Sequence, residues 1–355
     1  MSGVSAKDRS MKLISVIMIA ILIVIAVPSP TSAATIGIWI TPAELMSRPM
    51  SGAAWTNLVK VANSSIGTAH IADQDSNHDV NTLAVALVAM RTGNVSLRTK
   101  ASNAILSAIG TEKGGRTLAL GRNLLSYVVA ADVIDLRTFN PSGDTRFRTW
   151  LRSVRTEVLD SMTLVSTHEK RPNNWGTHAG ASRIAADRYL GDAVDLQRAA
   201  VVFYGYVGNR AAYAGFKYGD LSWQSNPSAP VGINPAGALK SGHPIGGAIP
   251  DDMRRGGSFS WPPNHTGYAW EAMQGVVAQT ELLRRAGYGS VAWQNRAVCR
   301  AAAYLKFLDS SFGGWWATGD DTWAPHLINR LCGTAYPTVI PARPGKNIGW
   351  TDWTK

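Results

Sequence analysis

Apolar residues recur at three- and four-residue spacing through most of the chain, the period of helices that each bury one face. Leu83, Leu87 and Met90 mark one such face, and Leu124, Val128, Ala131 and Ile134 mark another. The spacing predicts helices over 79–92, 95–109, 116–136, 144–165, 176–190 and 192–207, and then over 265–286 and 291–308. An earlier helix starts at Thr41-Pro42-Ala43-Glu44, with a hydroxyl cap, proline at the first helical position and a carboxylate placed to close a capping box. It is expected to carry Leu45, Trp55, Leu58 and Val59. From 212 to 263 the periodicity gives way to Gly, Pro and Ser, and a loop of that length inside a compact domain is usually functional. Past it, Pro337, Pro341, Pro344 and Trp350-Thr351-Asp352-Trp353 read as irregular chain laid on the domain surface. Helices following pair after pair, interrupted by one long loop, give the expected fold class: mainly all-α, an incomplete α/α toroid of paired antiparallel helices with a cleft.

The first residues change the setting. Lys7, Arg9 and Lys12 precede an apolar run over 13–27, followed by Pro28, Pro30 and the small residues Thr31, Ser32, Ala33 and Ala34. That is the charged, apolar and small-residue order of a secretory signal peptide, and the run is shorter than the roughly 20 residues that span a bilayer. Residues 1–33 are therefore expected to be removed, leaving 34–355 as a single domain that works outside the cell or in a periplasm. The removed segment carries three basic residues and one acidic one, so the formal charge falls from +11 to +9. A basic exported protein concentrates anions, and acidic polysaccharide, anionic lipid and nucleic acid are the candidates. The two cysteines, Cys299 and Cys332, either pair, closing a loop worth roughly 3–4 kcal/mol in the chain-entropy model, or stay as two buried thiols. Their spacing fits neither a zinc site nor a Cys-x-x-Cys redox pair.

Two polar clusters could carry chemistry. The first is His168-Glu169-Lys170-Arg171-Pro172-Asn173-Asn174-Trp175-Gly176-Thr177-His178. Pro172 disfavours helix at Arg171, so the asparagines fall at a helix entrance, with His178 one turn beyond Asn174. Free N–H groups there favour an anion, although one asparagine acting only as a cap and His178 sitting in the core would account for the same residues. The second cluster is Asp251-Asp252-Met253-Arg254-Arg255-Gly256-Gly257 followed by Trp261-Pro262-Pro263-Asn264-His265-Thr266-Gly267-Tyr268. Glycines beside arginines let backbone approach a ligand, and a guanidinium grips a carboxylate through two hydrogen bonds. Capping and packing are the plainer account of His265 and Tyr268.

Together these residue types suit β-elimination on a uronic-acid polymer. The C5 proton of a uronate becomes acidic only when the adjacent carboxylate is neutralised, which an amide and a guanidinium supply. A base then takes that proton and an acid protonates the departing O4, tasks open to His and Tyr. This chemistry needs no cofactor and no metal, and metal-ligand spacing such as His-Glu-x-x-His is missing from the sequence.

Three segments, Ser47-Arg48-Pro49-Met50-Ser51-Gly52-Ala53-Ala54-Trp55, Asn173-Asn174-Trp175 and Arg254-Arg255-Gly256 through His265-Thr266-Gly267-Tyr268, make the chain resemble the alginate lyase-like polysaccharide lyases. Those are secreted α/α toroids that cleave uronate-containing polymers. In the better-known members an asparagine neutralises the carboxylate, a histidine directly follows it, and an arginine and a tyrosine complete the site. The resemblance implies Asn174 as the amide and Arg255 as the arginine, with His178, His265 and Tyr268 sharing the proton transfers. Asn173, Trp175, Lys170, Arg171, Arg254 and Trp261 are the expected substrate contacts. The sequence departs from the pattern at Trp175, which stands where the histidine would follow, and in the register of His265 and Tyr268. The polymer is alginate, glucuronan or a similar uronate; the expected protein is a monomer that binds acidic polysaccharide and neither nucleic acid nor, once the signal is removed, membrane. Two rivals remain: an inverting glycoside hydrolase recruiting Asp251, Asp252 or Glu271, and a non-catalytic binder of acidic glycans. A nuclease would need a carboxylate metal cluster or a His-rich motif that the sequence does not offer.

Overall fold

The computed structural model describes residues 37–355, so the expected export signal at 1–33 lies outside the described residues. The Thr41–Glu44 capping box forms, with Thr41 N–H donating to Glu44 Oε2 at 2.8 Å and Glu44 N–H to Thr41 Oγ1 at 3.1 Å. The helix it opens is only α1 (Pro42–Met46); Pro49 intervenes, and Trp55, Leu58 and Val59 belong to a separate α2 (Gly52–Asn63). Next come α3 (His78–Thr92), α4 (Val95–Ser107), α5 (Thr117–Val133), the short α6 (Leu136–Phe139) and α7 (Pro141–Val154). The helix expected over 144–165 stops at Val154, because Asp160 and Ser161 take left-handed backbone and Thr163 caps a new helix, α8 (Leu164–Lys170). Then follow α9 (Asn174–Leu190) and α10 (Ala193–Tyr206), the first closed by left-handed Gly191 and the second capped by Asp192.

The long loop contains the two-residue strands β1 (Leu239–Lys240) and β2 (His243–Pro244), paired antiparallel, and one turn of helix, α11 (Pro250–Met253). After it come α12 (Tyr268–Arg285), α13 (Trp293–Phe312), α14 (Ala324–Cys332) and α15 (Thr351–Thr354). Residues Gln294 to Arg296 are left-handed, so the regular part of α13 begins at Ala297. The protein is thus mainly helical, as its periodicity predicts. Among the described residues no helix is long and apolar enough to cross a membrane.

Every residue of α5 is buried, which places it inside the domain, whereas α7 buries one face through Phe147, Trp150, Leu151 and Val154. The interior helices lie side by side and parallel. Ser182 of α9 donates to the Gly121 carbonyl and accepts from the Leu125 N–H of α5. A Cβ on Gly121 would meet the backbone at His178 and Ala179, so the contact advances in the same direction along both helices. On its other side, α9 meets α12 at Thr177 and Gly275, then at Gly180 and Gln279, again advancing together. Glycine at 121 and 275 permits these close approaches. α3 packs on α5, and α14 on α12. The first turns of α5, α9 and α12 therefore share one end of the domain, where the positive ends of three helix dipoles converge.

The C-terminal stretch corrects its sequence reading. It is not laid on the surface: Asn347, Ile348, Trp350, Thr351, Trp353 and Thr354 are all buried, as is the Lys355 side chain. Asn347 Nδ2 donates to the Gly121 carbonyl at 2.6 Å, its own N–H donates to the Arg122 carbonyl at 2.7 Å, and Trp350 Nε1 donates to the Val80 carbonyl at 2.8 Å. The tail thus threads between α3, α5 and α9, and its tryptophans fill the core that the three prolines had made look like surface. Cys299 and Cys332 form a disulfide that ties α13 to the end of α14.

Candidate functional site

At the entrance of α9, Pro172 ends the preceding helix and Asn173 is the cap, its Oδ1 accepting the Trp175 N–H at 3.2 Å. That use accounts for the Asn173 oxygen. Gly176 is required here, since a Cβ would stand 1.9 Å from the Arg171 carbonyl oxygen. Asn174 is the first helical residue: its N–H donates to Asp252 Oδ1 at 3.0 Å, and its own Oδ1 is buried without a hydrogen-bond partner. Trp175 lies between two guanidinium groups, Arg116 at 5.5 Å and Arg171 at 5.4 Å from its ring centroid. Beside Arg116 is an open groove of about 460 Å³ lined by Gly114, Gly115, Val158, Leu159 and Asp160. Lys170 is exposed, and its backbone carbonyl holds the Lys217 N–H.

Asp252 joins this entrance to the second cluster. Burial pushes its carboxyl well above the ordinary range, and the field of Arg255 reaches it. Arg254 is already paired, its Nε 2.8 Å from Asp251 Oδ1, so of the two arginines the exposed Arg255 is the one not held in that ion pair. Its guanidinium sits 4.1 Å over the ring of Tyr268, the first residue of α12, which is 38% exposed. His265, also exposed, donates from Nε2 to the Gly314 carbonyl at 2.7 Å, which leaves Nδ1 with a free lone pair. Trp261 is elsewhere: it stacks on His243 at 4.7 Å and packs against Phe307 and Phe312, an aromatic patch whose contacts are not with the helix entrances.

One turn inward is a group that the motifs do not announce. Glu271 pairs with Arg122 and lies 3.6 Å from His178 Nε2. The His178 ring is fully enclosed. Its Nδ1–H donates to Asn347 Oδ1, because the Asn347 amide nitrogen is already donating to Gly121. Burial pushes the imidazole below its usual range, and Nε2 makes no hydrogen bond. Burial raises the Glu271 carboxyl, but His178 and Arg122 outweigh it and hold that group at about 2. Lys346 and Arg122 face the loop residue Asp75, at 3.3 Å and 3.9 Å. Close by, Asp321 accepts from Gln274 Nε2 at 2.8 Å, and burial with Asp320 beside it pushes its carboxyl up to about 8. Among the described residues no group of three or more His, Cys, Asp or Glu side chains is placed to hold a metal ion.

The structure therefore brings Asn174, Trp175, Arg171, Arg255 and Tyr268 to one end of the domain, places His265 three residues before Tyr268, and encloses His178 behind Glu271. Arg122, Lys346, Asn347, Asp75 and Asp321 escape motif reading. The one available signal is Arg122, a charge set between the apolar residues Leu118, Leu120, Leu124 and Leu125 of α5. The chain matches no family model, no curated protein and no solved structure in any of the three comparisons.

Proposed function

We propose that the protein is a polysaccharide lyase that breaks a uronic-acid polymer by β-elimination, built as an incomplete α/α toroid and working as a monomer outside the cytoplasm. The observation that carries the proposal is the exposed Tyr268 phenol under the Arg255 guanidinium, coupled through Asp252 to Asn174 at the next helix entrance. The likeness of these segments to the alginate lyase-like lyases supports the same assignment. The exposed Arg255 neutralises the uronate carboxylate, Asn174, itself only 2% exposed, fastens the helix entrance to Asp252 behind it, and Arg116 and Arg171 over the Trp175 ring offer further cations to the polymer. His265 takes the C5 proton on Nδ1, the C4–O4 bond breaks as the C4=C5 double bond forms, and Tyr268 returns a proton to O4. His178 has no route to a polymer and acts by holding Glu271 and the tail in place. The test is purified protein mixed with alginate, glucuronan and other uronate polymers, with near-ultraviolet absorbance of the unsaturated product as readout. Shortened chains bearing plain reducing ends and no new absorbance would overturn the lyase.

That second outcome belongs to an inverting glycoside hydrolase, which one observation favours. Glu271, held at about 2, and Asp321, pushed up to about 8, are carboxylates whose environments drive their protonation apart, as a base and an acid require. The lyase remains the preferred reading because the groups most open to a polymer are guanidinium, phenol and imidazole, whereas Asp321 is half-buried.

A further inference from the structure

We infer that Arg122 and Lys346 form a carboxylate subsite, and that Asp75 occupies it in the free protein as a displaceable internal counter-ion. The inference rests on the proposed uronate-polymer reading for the identity of its ligand and adds a binding position separate from Asn174 and Arg255.

Two nearly enclosed cations, Arg122 and Lys346, face the same loop carboxylate, Asp75. The two cations have side chains only 7% and 11% exposed. Of the carboxylates around them, Glu271 is bonded to Arg122 and held at about 2, while burial pushes the Asp321 carboxyl up to about 8 and raises that of Asp79. Glu271 offsets one cation, and the second is offset by Asp75, whose side chain is 71% exposed. Its grip is loose: one contact is at 3.3 Å and the other at 3.9 Å, beyond hydrogen-bond length. Asp75 lies in the turn-rich segment between α2 and α3, where its own N–H is held by Asp73 Oδ1. An exposed ion pair of this kind is weak, whereas cations this deeply enclosed gain more from a carboxylate that excludes water. A second observation points to an absent ligand: the Arg122 Nε donor is buried without a hydrogen-bond partner.

The position also fits the site. Glu271 is three residues beyond Tyr268 on α12, so the cations lie one helical turn inward from the phenol. A polymer carrying a carboxylate on every sugar presents a second carboxylate once the first is seated. Swinging Asp75 into solvent and seating that carboxylate exchanges one counter-ion for another without leaving the inner cation exposed. The chemical class selected is a poly-uronate in preference to a neutral polysaccharide of the same length.

The test is calorimetric binding of glucuronate and mannuronate oligomers, with cello-oligosaccharides of equal length as neutral probes, to wild type, Asp75→Asn and Lys346→Met. Asp75→Asn keeps the shape of the side chain and removes its charge, so acidic oligomers are expected to bind about two- to fivefold more tightly with no change for neutral ones. Lys346→Met is expected to weaken acidic binding by about tenfold or more. Acidic binding that is unchanged or weaker in Asp75→Asn, or absent from both it and wild type, overturns the inference. Should Lys346→Met fail to fold, the exposed Asp75→Asn variant decides alone. Binding that follows this pattern without any unsaturated product would keep the subsite and remove the lyase.

Discussion

Asn347→Ala is the substitution that most directly tests whether the tail organises the site. It removes the acceptor of the His178 Nδ1–H and the donor to the Gly121 carbonyl, all three groups lying in the fully buried interior. The backbone bond from Asn347 N–H to the Arg122 carbonyl survives. Leaving the His178 donor unsatisfied costs about 1–3 kcal/mol, and the Gly121 carbonyl, which keeps its bond from Ser182, loses one bond worth about 0.5–1.5 kcal/mol, so a loss of roughly 2–4 kcal/mol is expected. For a domain of this size the unfolding entropy is about 0.7 kcal/mol/K, which converts the loss to a fall of about 3–6 °C in Tm. Scanning calorimetry at pH 7 measures it, with Asn347→Asp as a companion that keeps the acceptor for His178 but sets an oxygen against the Gly121 carbonyl. A fall below about 2 °C in Asn347→Ala would mean that water or a shifted neighbour replaces the amide, and the tail would be filling rather than fastening.

Tyr268→Phe keeps the ring under Arg255 and removes only the hydroxyl, so turnover is expected to drop by about 10²–10³ with Tm unchanged; full activity on the best substrate would make Tyr268 a packing residue. His178→Ala is expected to lower Tm more than His265→Ala, and His265→Ala to lower turnover more, a split that kinetics and calorimetry on the same samples resolve. Gly275→Ala would drive a Cβ to 2.3 Å from the Thr177 carbonyl carbon, part of the α9 backbone, and is expected to destabilise by about 1–3 kcal/mol in urea titration. Asp321 has a folded-state pKa raised from 3.8 to about 8. Its contribution is therefore fully present below the unfolded value and is lost as pH rises between those limits. Asp321→Asn should flatten that decline in a Tm-against-pH series, and an unchanged slope would refute the shift.

What the sequence reveals depends on how local each signal is. Thr41 with Glu44, Asn173 and Asp192 announce helix starts within four residues of themselves, and the structure uses each of them that way. The break after Val154 was hidden because Val158, Leu159 and Met162 continue an apolar rhythm, while the left-handed backbone at Asp160 and Ser161 belongs to residues that also occur within helices. α14 is short and lies among loop residues, so Leu327, Ile328 and Leu331 give too few turns to register as a period. The entrance motifs at Asn174 and Arg255 were legible because their neighbours in the chain are also their neighbours in space. Arg122 and Lys346 were not, because what makes them a pair is the passage of residues 345–350 beside α5, more than two hundred residues away in sequence. Proline spacing near the end argued for surface, and the burial of Trp350 and Trp353 prevailed over it.

The threading of the tail also sets an order of events during synthesis. A chain emerges from the ribosome with its amino end first, and earlier helices fold as they appear. Helices α3, α5, α9 and α12 can meet while residues 345–355 are still being made, but the slot that receives Asn347 must wait for them. Until then the Gly121 carbonyl and the His178 ring face an open channel, and Arg122 and Glu271 stand without Lys346 beside them. Contacts spanning 169 and 226 residues close last, so the charged centre is assembled in a final step distinct from the formation of the helices around it. A nascent or truncated chain would therefore carry most of the helical framework without the finished charged centre at Arg122, Glu271 and Lys346.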